Sequence, residues 1–180
     1  MNFVSFSQGN PKDYYYQIPE YPASYTPGAV AARVVDGLGF RYYWSTEGLT
    51  ESDLSYRPSE GARSVEETVD HIVTLTRIML DAASGRPYEI ISLEGLSFQE
   101  KRDLTLNHIR QASEKLKIPE IDLESLNMTF SEANSYPFWN LLNGPMADAI
   151  NHVGQIITLR RSNGNPINQN ISVLRGEVKN

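Results

Sequence analysis

The chain has 180 residues and a mass of 20.3 kDa, one domain's worth of sequence and enough to bury a core without cross-links. Its 16 basic and 22 acidic residues leave a net charge of −6 and a pI near 5.1, the reverse of the basic stripe that nucleic-acid binding needs. Cysteine is absent and the only histidines are His71, His108 and His152, which excludes disulfides, thiolate nucleophiles, iron–sulfur clusters and cysteine-built zinc sites; any metal would fall to histidine, carboxylate, carbonyl or water.

The first residues hold no basic segment followed by an apolar run of signal length, and no stretch reaches the roughly 20 apolar residues of a membrane span. The expectation is a soluble, cytoplasmic protein with neither a nucleic-acid nor a membrane partner. On that reading the N-x-[ST] sequons at Asn127 and Asn170 are chance matches.

Residues 1–27 read as an extension, with Tyr14, Tyr15, Tyr16, Tyr21 and Tyr25 interleaved with Pro11, Pro19, Pro22 and Pro27. Proline at that density blocks a helix, since each ring removes a donor and restricts the residue before it. So many tyrosines point to an extended strap packed on the body or on a partner subunit; a disordered leader is the alternative. Residues 28–180 read as one helical domain.

The first helix starts at Thr26-Pro27, a cap followed by a proline suited to the first turn, and runs to about Leu49. Gly37 and Gly39 weaken its middle by up to about 1 kcal/mol each. A loop follows, with one short helical turn expected at Thr50-x-x-Asp53. The second helix opens on the capping box Ser64-Val-Glu-Glu67, carries Val65, Val69, Ile72, Leu75, Met79 and Ala82 at helical steps, and stops at Gly85 and Pro87. The third runs from about Ser97, with another box at Glu100, to Lys115. The last runs from Phe138 or Leu142 to Arg161, with Gly164 and Pro166 as stops. Strand-like alternation is absent apart from short pieces, and the tail from Ile167 stays unassigned. Four amphipathic helices make an all-α bundle the economical fold.

Asp148 and His152, four apart on the last helix, project from one face, the spacing a metal needs when one helix supplies two ligands. Asn151 and Gln155 share the flank. A hydrogen-bonded surface pair is the plain alternative. If the second and last helices face each other, His71 joins Asp148 and His152 in a two-histidine, one-carboxylate set with open coordination positions. His108 reads as a solvated surface residue, Trp44, Phe138 and Trp139 as core or pocket lining, and Arg160-Arg161 as partners of the helix C-terminus and solvent.

Two segments resemble the DinB-like (DinB/YfiT-like) superfamily of helical bundle proteins. RPSEGARSVEETVDHIVTLTRIML is similar to that family's loop, capped second helix and mid-helix histidine. MADAINHVGQIITLRRSNGNPI is similar to its closing signature, a histidine before Gly-Gln and an ending in arginine, glycine and proline. The resemblance covers about residues 28–166. It implies a four-helix bundle with a long crossover connection, commonly a homodimer, and a divalent metal site of one histidine on the second helix and two on the last. His71 and His152 fall at two of these positions; Asp148 stands where the family usually has its third histidine. The implied cofactor is zinc, nickel, manganese or iron. The implied activity is a metal-dependent hydrolase, or a transferase acting with a low-molecular-weight thiol, through a metal-bound water or thiolate. The alternative is a catalytically silent bundle that binds a small molecule or serves as a stress-related dimeric interaction protein.

Overall fold

A computed structural model describes residues 14–179, and among them the chain is all-α with two small hairpins attached. In order come α1 (Pro27–Thr46), α2 (Glu51–Ser55), α3 (Val65–Ala83), α4 (Phe98–Leu116), the antiparallel strands β1 (Asn127–Ser131) and β2 (Asn134–Pro137), α5 (Phe138–Leu141), a π-helical turn (Leu142–Met146), α6 (Ala147–Ser162), and a second pair, β3 (Ile171–Ser172) and β4 (Glu177–Val178). None of the described helices is long and apolar enough to cross a membrane.

Helix starts form where the capping residues stand. The Thr26 hydroxyl accepts from the Ala29 N–H, and Ser64–Glu67, Ser97–Glu100 and Thr50–Asp53 each close a reciprocal capping box. Each box satisfies donors that a helix end leaves orphaned. One end differs: α1 stops at Thr46 instead of about Leu49. The carbonyls of Trp44, Ser45 and Glu47, which another turn would have served, accept instead from the Arg160 guanidinium.

α1 and α3 each pack against both α4 and α6, so the four long helices enclose a core that includes Val35, Leu38, Tyr42, Ile72, Met79, Ile109, Leu116, Val153 and Ile156. The polar helix α4 turns charges as well as apolar groups inward. Buried Lys101 pairs with Glu66 at 3.1 Å and Asp70 at 2.8 Å. Arg102 bonds Glu47 at 2.6 Å and the Thr46 hydroxyl at 2.9 Å, and lies over the Tyr43 ring. Every inward charge is paired, as burial demands.

His108 is not a surface residue. It is 3 % exposed between α3 and α4, with Nδ1 3.4 Å from the Thr76 hydroxyl, because α4's inward face is more polar than its sequence suggests. Burial, helped by the nearby Arg77 cation and opposed by Asp81, pushes its pKa from 6.5 down to about 4. Between those values the unfolded chain holds a proton that the native chain refuses, so stability falls as pH drops from 6.5 toward 4. The loss should reach about 2–3 kcal/mol by pH 4.5 and be missing from His108→Gln, read as unfolding free energy against pH for the two proteins. Parallel pH profiles would contradict this.

From Tyr14 onward the extension packs on the body through Tyr15 and Tyr16, while Tyr21 and Tyr25 stay exposed; the part before it, with Pro11, lies outside the described residues. Tyr15 is buried against α1, its hydroxyl donating to Asp36 at 3.1 Å, and Lys117 reaches the same carboxylate at 2.7 Å. A Cβ on Gly39 would come within 2.5 Å of the Tyr15 ring. The glycine that weakens α1 on paper is the seat of the strap's anchor. Further along, Trp44 Nε1 donates to the Tyr16 carbonyl and Arg33 to that of Pro19.

The hairpins were not legible because their strands are short and exposed. In β1–β2 the pairs include Met128 with Tyr136 and Thr129 with Ser135, and only Met128 is buried. Among the aromatics expected inside, Phe138 is buried and Trp44 is half-buried, but Trp139 is 74 % exposed because α5 is a single turn with one inward face.

Candidate metal centre

The last helix is broken, not continuous. Pro145 has no N–H to give and Gly144, at φ −97° and ψ −108°, leaves helical geometry, so α5 and α6 are separated by the π-helical turn. α6 therefore begins at Ala147, continuous with that turn, and places Asp148 in its first turn. His152 follows one turn later on the same face. His71 stands in the middle of α3, which packs on α6.

The three residues singled out from sequence converge. His71 Nε2 lies 3.3 Å from Asp148 Oδ2, and His152 Nε2 lies 3.4 Å from Asp148 Oδ1. The two imidazoles meet edge to face with centroids 4.7 Å apart. One donor atom from each residue fits in a group whose members all lie within 4.8 Å of one another. For bonds of 2.0–2.1 Å in tetrahedral geometry, neighbouring donors sit about 3.4 Å apart; each imidazole stands at about that distance from a different Asp148 oxygen, so a small turn of the carboxylate or rings would complete a single set. Asp148 and His71 remain partly exposed while His152 is buried, so the set has a dry wall on one side and an open approach on the other.

The hydrogen bonding tests whether these groups suit a cation. His152 Nδ1 is 2.8 Å from Gln155 Oε1, an acceptor, so Nδ1 carries the hydrogen and donates. In the neutral ring Nε2 then presents a lone pair directly at a carboxylate oxygen. Two acceptors face each other at 3.4 Å, an arrangement that wants a cation or a proton between them. The donor set fits a divalent ion: two borderline nitrogens and one hard oxygen, suited to zinc, nickel, manganese or iron.

Sequence reasoning placed Gln155 on the flank but missed its role. It orients the ring that would hold the ion, and the His-x-x-Gln spacing of i, i+3 is the signal that carries this. Gln155→Leu should weaken zinc binding by about 10–100-fold while leaving the fold intact, measured by competition against a chelating dye. Unchanged affinity would remove Gln155 from the site. Asn151, on the same flank, is exposed and lines a cleft beside the centre. Arg161 is exposed as expected, but Arg160 is buried and turned onto α1. A scan against family models and searches of curated proteins and of solved structures each return no match for this chain.

Proposed function

We propose that this chain is a metal-dependent enzyme of the DinB-like superfamily, its four long helices forming that family's four-helix bundle with a long crossover connection, and that it works as a homodimer. The observation that carries the reading is the convergence of His71, Asp148 and His152 from two separate helices. A bound divalent ion would supply Lewis acidity and lower the pKa of a coordinated water or external thiol, giving a hydrolase or a thiol-dependent transferase. The protein's own part is to hold the ligands. Gln155 fixes the His152 tautomer, and the buried side of His152 keeps water from one face.

One observation favours a second reading, a catalytically silent bundle that binds a small molecule. Asp148 reaches both imidazoles, so protonation of the rings would close the network with no ion at all. Metal analysis separates the two. Protein purified without added metal, then titrated with zinc, nickel and manganese, should bind about one equivalent of at least one of them, with protons released on binding. Less than about a tenth of an equivalent with all three would leave the silent bundle standing.

A further inference from the structure

We propose that the cleft along α6 takes a small organic anion, a carboxylate on an apolar stem, with Arg63 as its charge partner; as the substrate groove of the metal centre it rests on the reading above. The cleft has a volume of about 700 Å³, within the range of small-molecule sites. It lies between one face of α6, Thr68 on α3 and the loop that precedes α3. His152 belongs both to its wall and to the metal set, so an occupant at that end touches the imidazole that would hold the ion.

The lining chemistry is specific. Pro58, Ile150 and Leu159 make the walls largely apolar, no carboxylate lines the cleft, and Arg63 is its one lining cation. In a chain of net charge −6 the lining of this groove carries a cation and no acid. Among the described residues Arg63 makes no hydrogen bond or ion pair, whereas its neighbour Arg57 pairs with Glu67. The loop presenting it is braced: Arg57 donates to the Ala62 carbonyl, Ala62 N to Ser59, and Val65 N to Tyr56. A free guanidinium on a braced loop is an anchor for a carboxylate, which it grips through two parallel N–H donors.

The distance sets the length of the ligand. From His71 back to Ser64, the cap next to Arg63, is about 10 Å of helical rise. A molecule with its anionic group at Arg63 and its reacting end at the metal ligands is therefore several carbon atoms long. That is the size of a medium-chain or aryl carboxylate and not of a bare anion.

Octanoate, 1-octanol and inorganic phosphate are the probes, titrated into zinc-loaded and chelator-treated full-length protein and followed by amide chemical shifts and calorimetry. Octanoate should move the amides of residues 150–159, and Arg63→Met should weaken it at least tenfold in both metal states. Thr158→Trp, which fills the cleft from an exposed position, should abolish it without changing zinc content. Equal octanoate affinity in wild type and Arg63→Met overturns the proposal. So does octanol or phosphate binding as tightly as octanoate. Arg63-dependent octanoate binding in a protein that takes no metal supports the groove and sinks the metal-dependent reading; zinc binding without it does the reverse.

Discussion

Zinc affinity is expected to fall by more than about 100-fold in His152→Ala, beyond the upper end for losing an outer partner such as Gln155. His152 supplies one of three ligands, and its ring is the best held of them, buried and tied at Nδ1. The truncation also leaves a small cavity, so its effect on folding must be read separately, as thermal unfolding in the presence of chelator. His71→Ala provides the second arm: it should cost affinity similarly while disturbing the partly exposed His71 position less. Asp148→His is the informative converse. It keeps a ligand at that place but exchanges oxygen for nitrogen, so preference should move from manganese toward zinc and nickel. Wild-type zinc affinity in both alanine variants would remove the centre.

Arg160→Met should destabilise the fold by about 3–5 kcal/mol. Arg160 is 2 % exposed, and its guanidinium ties the end of α6 to the end of α1. Nη1 donates to the carbonyls of Ser45 and Glu47, each at 2.9 Å, and Nε and Nη2 hold the Asn165 carbonyl and side-chain oxygen. The cation faces the negative end of α1's dipole, with no carboxylate bonded to it directly. Asp53 lies behind, held by the side-chain amides of Asn163 and Asn165, and these bonds outweigh burial to bring its carboxyl down to about 2. Removing the guanidinium orphans the buried Ser45 carbonyl, worth about 1–3 kcal/mol unmet, and loosens the part-buried carbonyls of Glu47 and Asn165 as well. Arg160→Lys should lose roughly half as much, because an ammonium cannot span both carbonyls and Asn165 at once. The measurement is the denaturant midpoint at unchanged slope, and a shift equivalent to under about 1 kcal/mol would contradict the account.

How far the site was legible depends on the residue. Asp148 and His152 could be paired from spacing alone, because helical geometry puts residues four apart on one face whatever surrounds them. His71 could be added only on condition that α3 faces α6, a fact of packing that lies outside local sequence. Arg63 carried no signal at all: one arginine in a surface loop is ordinary until the cleft it lines is known.

Local chemistry decided the helix starts and the all-α class. Ser64–Glu67, Ser97–Glu100 and Thr26-Pro27 act within a few residues, and the apolar steps of α3 mark its buried face without reference to any partner. The tertiary structure decided what depends on distant neighbours. His108 and Arg160 look like surface residues because charge and polarity usually mean solvent. Each is buried because α3 and α1 supply Thr76, Ser45 and Glu47 as partners from more than 30 residues away. Desolvation is decided by what packs on a side chain, and pairing by what it meets there. The same holds for the three metal-site residues: their types and spacings belong to the sequence, and the 3.3 and 3.4 Å separations belong to the packing of α3 on α6.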